Sequence, residues 1–194
     1  MSFLKKILKR SSNKEEETGT QEIFTALDES FVHHFIEKGG KFLYCASIKE
    51  VVTNLSKILH ENVWTEITAL DYNLSGLLRK TEASRKLVFN KETPVFTTCE
   101  HLISDNGDIL FSSNQLNSYR LAELSDNFIV YATTSQLVRN TGQGLTGIKA
   151  NFKENIPTNI SAIKNYCIKK NDDNFLNYGN TNSKNLYLLL FEDL

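Results

Sequence analysis

Side chains able to do chemistry concentrate between Thr97 and Phe152. Cys99-Glu100 follows the apolar run Val95 to Thr98 and stands beside a turn, so Glu100 can serve as a general base or nucleophile, or cap a helix or pair with a cation. Cys99 is either a reactive thiol, if a neighbour lowers its pKa, or a small buried residue. In Asp105-Asn106-Gly107-Asp108, the side chains of Asp105, Asn106 and Asp108 offer closely spaced oxygens around Gly107. These suit a ligand hydroxyl or a cation, and equally a tight turn. Thr133, Thr134, Ser135 and Gln136 follow a strand-like run and open a helix-like one; their hydroxyls and amides can cap that helix or meet an anion.

Other patterns point away from chemistry. His33 and His34 are adjacent and diverge around a helix, His60 and His101 stand apart from them, and no metal site is expected. Gly142-x-Gly144-x-x-Gly147 has the spacing of a dinucleotide fingerprint. It lies inside a helix-like segment, however, with no acidic residue in a following strand.

The elements that must position these residues belong to ordinary globular protein. The chain has 194 residues, 40% of them hydrophobic and 23% charged, with a formal net charge of -1. That balance gives no basic field for nucleic acid, and no apolar run nears the roughly 20 residues that span a bilayer. Three widely separated cysteines suggest reduced thiols, and with no signal-peptide pattern a cytoplasmic location is expected.

Residues 1–22 read as a flexible segment and 23–194 as one domain. Phe3, Leu4, Ile7 and Leu8 recur at helical spacing opposite Lys5, Lys6, Lys9 and Arg10, which predicts a short basic amphipathic helix. Membrane contact is expected only through Met1 to Arg10, which either docks on an anionic surface or acidic partner, or remains a charged terminus in solution. Asp28 is placed to cap a helix bearing Phe31, Val32, Phe35 and Ile36, ended by Gly39-Gly40. Strands are expected at Lys41 to Cys45, Glu66 to Leu70, Leu87 to Asn90, Val95 to Thr98, Ile109 to Phe111, Phe128 to Tyr131, Asn159 to Ile163 and Leu186 to Phe191. Helices are expected after Ser47, around Leu74 to Leu78, at Ser118 to Leu124 and at Ser135 to Phe152. This alternation predicts an α/β fold, a three-layer α/β/α sandwich with an open, mostly parallel sheet. In it, the Asn106-Gly107 bend and the Thr134-Ser135 helix entrance should meet at one edge of the sheet.

Taken in order, Cys99-Glu100, Asn106-Gly107-Asp108, Asn127-Phe128-Ile129-Val130, Thr134-Ser135-Gln136-Leu137-Val138, Glu154 to Ser161 and Leu186 to Phe191 resemble the LUD domain. This is the lactate-utilisation protein C family, and the chain reads as a divergent Bacteroidetes-type member; the resemblance covers about Thr97 to Asp193. The family's glycine-proline-serine turn and following helix give way here to Asn165 to Asp173. Its glycine-x-histidine-glycine-proline turn keeps Gly179 and Ser183-Lys184, with Thr181 and Asn182 replacing the histidine and second glycine. Lys169 and Lys170 supply positive charge in place of the lost amide nest.

The resemblance implies a NagB/RpiA/CoA transferase-like fold, a superfamily that includes enzymes with a glutamate nucleophile, which singles out Glu100. It implies a ligand-binding set of Asn106, Gly107, Asp108, Thr134, Ser135 and Lys169. It further implies an accessory subunit in bacterial L-lactate oxidation to pyruvate, beside iron-sulfur oxidoreductase subunits. No cofactor is expected in this chain, whose cysteines have no cluster-binding pattern; an iron-sulfur cluster would belong to a partner. The alternatives are an enzyme or sensor for a small anionic metabolite (a CoA ester, sugar phosphate or organic acid) and a degenerate, non-catalytic paralogue.

Overall fold

The computed structural model describes residues 19–168 and 182–193. The expected amphipathic helix at Met1 to Arg10, the tether that follows it, and Lys169 lie outside the described residues. Helix α1 (Gly19–Glu37) buries Phe31 and Phe35, stacked one turn apart with ring centroids 5.5 Å from each other. It starts well before Asp28, because no proline or glycine interrupts residues 20–38, so Asp28 sits inside the helix and caps nothing. Gly39, at φ +89°, ends it as expected: the Gly39 and Gly40 N–H groups donate to the Ile36 and Phe35 carbonyls.

Strand β1 (Lys41–Cys45) leads to α2 (Ile48–Glu61), capped by Ser47, whose hydroxyl accepts from the Glu50 N–H at 3.2 Å. Val51, Leu55, Ile58 and Leu59 form its buried face. Then come β2 (Glu66–Thr68), α3 (Ser75–Leu78), β3 (Ser84–Lys86), β4 (Val95–Thr97), β5 (His101–Ile103), β6 (Asp108–Phe111) and α4 (Ser113–Leu116). A 3-10 turn at Leu121–Glu123 replaces the helix expected over Ser118 to Leu124, and the strand expected at Leu87 to Asn90 lies earlier, at β3. Strand β7 (Asn127–Thr133), a 3-10 turn (Thr134–Gln136), β8 (Leu137–Val138), α5 (Thr141–Phe152), β9 (Ser161–Ile163) and β10 (Asn185–Phe191) follow. Helix α5 begins at Thr141 instead of Ser135. Asn140 caps it, and Leu137 and Val138 are drawn off to pair with Leu102 and Ile103.

The central sheet has the order β1-β10-β7-β4-β2-β3, with every neighbouring pair parallel. Because β10 and β7 are buried on both faces, they read as nearly continuous apolar runs. Leu186, Leu188 and Leu190 join Phe128, Val130 and Ala132 on one face, against α1 and a second sheet. Leu189, Ile129 and Phe96 turn to the other face, against α2 and α3. The protein is thus an α/β sandwich of three layers. Its second sheet, β8-β5-β6-β9, takes in two strands that a single-sheet reading assigns to the centre. Those two strands are β6 and β9: the tight turn after β5 pairs β6 antiparallel with it, and β9 joins β6 antiparallel on its other side. No helix among the described residues is long and apolar enough to cross a membrane.

Candidate functional site

The carboxyl ends of β1, β10, β7 and β4 form one edge of the central sheet, where open α/β sheets place ligands. Thr97 to Glu100 and Thr133 to Gln136 lie together there, since the Gln136 side-chain amide donates to the Cys99 carbonyl. One oxygen of the Glu100 carboxylate accepts from Ser112 Oγ, from Asn114 Nδ2 at 2.8 Å and from Gln115 Nε2 at 3.1 Å. Ser112 is the N-cap of α4, so Glu100 clamps a helix start to the strand end. Cys99 is buried, and burial, with the Glu100 charge adding to it, pushes its thiol far above the range of reactive cysteines.

The Thr134-Ser135 entrance is already filled by a carboxylate of the same chain. Asp193 accepts from Thr134 Oγ1 at 2.8 Å, the Ser135 N–H at 3.0 Å and Ser135 Oγ at 2.7 Å. Burial pushes the Asp193 carboxyl up, but the Ser135 hydroxyl and N–H and the Thr134 and Thr133 hydroxyls outweigh it and hold the group below its ordinary value. The expected anion position is therefore satisfied internally.

The Asn106-Gly107 bend lies elsewhere. Pairing of His101 with Leu110 and Ile103 with Asp108 sets the bend and Glu100 at opposite ends of the β5–β6 hairpin. Gly107, at φ +71°, packs so tightly on α1 that a Cβ would stand 2.6 Å from the Phe35 nitrogen. Asn106 Oδ1 accepts from the Asp108 N–H at 3.0 Å, and Asp108, almost wholly buried, pairs with Lys38 Nζ at 2.9 Å. The Ser104 carbonyl accepts from Ser30 Oγ at 3.0 Å and lies at the same distance from His34 Nδ1. The expected convergence with Thr134-Ser135 at the central sheet does not occur. The bend belongs to the second sheet and anchors α1.

The altered segment after β9 contributes in the same way. Tyr166 is buried, its hydroxyl donates to the Gly107 carbonyl at 2.6 Å, and its ring lies 4.4 Å from that of Phe35. Of the other chemical candidates, Gly144 and Gly147 bring α5 close to the His101 ring. Their spacing serves helix packing. A cleft of about 120 Å³ between β9 and the approach to β10 is lined by Ala162, Lys164, Asn165, Asn182 and Ser183, well below the volume of ordinary metabolite pockets.

No family model matches the sequence, and no curated protein matches it. Among solved structures, a DUF162 family protein from Deinococcus radiodurans aligns with a TM-score of 0.61 and 14% identity, over 87% of this chain and 98% of that one. The two share a fold. At this identity the likeness extends to architecture alone.

Sequence reasoning missed the acidic groups of this edge. Asp28 on α1, Tyr44 on β1, and Glu192 and Asp193 after β10 gather beside the strand ends, with Glu50 of α2 acting on Tyr44. Burial first, then the Glu192 and Glu29 charges, push the Asp28 carboxyl up to about 6. One signal was legible: Asp28, Phe31 and Phe35 share a helical face, which places a carboxyl among buried rings. Among the described residues no three His, Cys, Asp or Glu side chains form a set able to hold a metal.

Proposed function

We propose that this chain is a LUD-domain protein acting as an accessory subunit in bacterial L-lactate utilisation, associating with iron-sulfur oxidoreductase subunits without turning over substrate itself. DUF162 and the LUD domain are the same family, and the shared fold supports the first part. One observation carries the second: Glu100, Asp108, Thr134 and Ser135, the groups best suited to chemistry, all bond to side chains of their own chain. A nucleophile or anion site needs such groups directed at a ligand. The clusters belong, on this reading, to the partners, because Cys45 and Cys99 are buried far from each other in sequence and Cys167 stands alone on the surface. Free thiols also support a reducing, cytoplasmic setting.

The test is affinity purification of the tagged full chain from its host grown on lactate. Iron-sulfur subunits should co-purify, and deletion of the gene should slow growth on lactate. Absence of both effects overturns the proposal. An anionic metabolite is the weaker reading, because the edge that would receive it carries Asp28, Glu192 and Asp193. Thermal shifts with acyl-CoAs, sugar phosphates and lactate should accordingly stay near zero.

A further inference from the structure

The central sheet ends at β3, and no described strand covers its far side. The Ser84 N–H donates to the Thr65 carbonyl at 2.9 Å, and the Lys86 carbonyl accepts from the Ala69 N–H at 3.2 Å. In a parallel ladder alternate residues turn their backbone groups to opposite neighbours. Ser84 and Lys86 therefore face β2, and the N–H and C=O of Arg85 face outward. Beside this edge stand three of the most exposed large apolar side chains among the described residues: Tyr72 after β2 at 74%, and Leu87 and Val88 after β3 at 64% and 67%. The two loops are tied together, since Arg85 Nε and Nη2 donate to the Ala69 and Leu70 carbonyls at 2.7 and 3.3 Å. An open edge flanked by apolar side chains is a template for a further strand.

The charges decide which strand fits. Two copies of β3 related by a two-fold axis pair antiparallel, residue against residue about a centre. Centred on Arg85, that residue would oppose itself; centred on Lys86, two ammonium groups would meet; centred on Ala83, Lys80 would oppose Lys86. Each of these sets like charges across the strands, which is unfavourable. Centred on Ser84, Glu82 lies opposite Lys86 on both sides of the axis, and Arg85 lies opposite Ala83. This register also suits the backbone, because Ala83 and Arg85 face outward in the same alternation. The sequence about Ser84 is thus complementary to itself, as an isologous contact requires.

We propose that two copies of this chain join antiparallel through β3, centred on Ser84, so that their central sheets run on as one. Lys86 already pairs with Glu66 of β2 at 2.6 Å, with both side chains half exposed. In the dimer it lies between that carboxylate and Glu82 of the second copy, in a row of alternating charge. Leu87 falls opposite Thr81 of the second copy and is withdrawn from water. A short edge strand carrying lysine discourages pairing with foreign chains. The acid four residues before that lysine restores pairing for a strand of the same sequence. The contact is independent of the accessory-subunit role, for it uses neither Thr97 to Glu100 nor Thr133 to Gln136.

Light scattering on the full chain tests this. The mass should approach twice 22.1 kDa as the concentration rises to about 100 μM. Glu82→Lys and Lys86→Glu should each weaken dimerisation about ten-fold or more, because each turns two attractive pairs into two repulsive ones. Mixed in equal amounts, the two variants should dimerise again, since every cross-strand pair then joins an acid to a base. A monomer throughout, a dimer indifferent to both substitutions, or a mixture that stays monomeric overturns the proposal. If Lys86→Glu does not fold beside Glu66, the exposed Glu82→Lys decides alone, and a dimer as tight as that of the unaltered chain overturns it.

Discussion

Glu100 shows how a residue suited to catalysis can be taken up by structure. Its carboxylate holds Ser112, Asn114 and Gln115 at the start of α4, and Ser112 is fully buried. Glu100→Ala should cost about 1–3 kcal/mol in urea unfolding, because a buried hydroxyl loses its acceptor, whereas Glu100→Gln, which keeps an acceptor oxygen, should cost less. Gly107 is constrained twice, by its positive φ and by the α1 backbone against it. Gly107→Ala should destabilise by about 2 kcal/mol or more on the same measurement. The turn itself was legible from Asn106-Gly107. Its burial was not, since Lys38 and Tyr166, which fix it, lie far away in sequence.

At the scale of elements, α5 depends on a cap that the sequence shows only in retrospect. Asn140 Oδ1 accepts from the Gln143 N–H at 3.0 Å, and Asn140→Ala should cost about 1 kcal/mol and expose the first turn of α5 to faster hydrogen exchange. The helix at Ser47 and the strands β1, β7 and β10 were readable because local periodicity and capping agree with their packing. The start of α5 was misplaced because Thr133 to Gln136 carries equally good capping chemistry, here spent on a single 3-10 turn. Strand β8 has only two residues, Leu137 and Val138, and exists through pairing with β5, which no local pattern reveals. For the same reason the alternation of strands and helices predicted the layers but not the second sheet.

The described residues form two apolar clusters that share the strands β7 and β10, one residue facing each way in turn. Neither cluster can lose those strands without exposing the other, so the two should unfold together. Trp64 reports on the α2 side, through its edge contact with Tyr187 at 6.1 Å, and Cys99 on the opposite side. In denaturant, Trp64 fluorescence and the appearance of reactive Cys99 thiol in a Cys45→Ser, Cys167→Ser background should give the same midpoint; separate midpoints would show independent units. The order of the central sheet also bears on synthesis. Strand β10 lies between β1 and β7, so strands made much earlier have no partner across that gap until residues 185–191 emerge. At about 5–20 residues per second, β1 waits on the order of 10 s with its apolar neighbours uncovered. A nascent chain of this design should engage chaperones on the ribosome and complete its central sheet only after β10 has emerged.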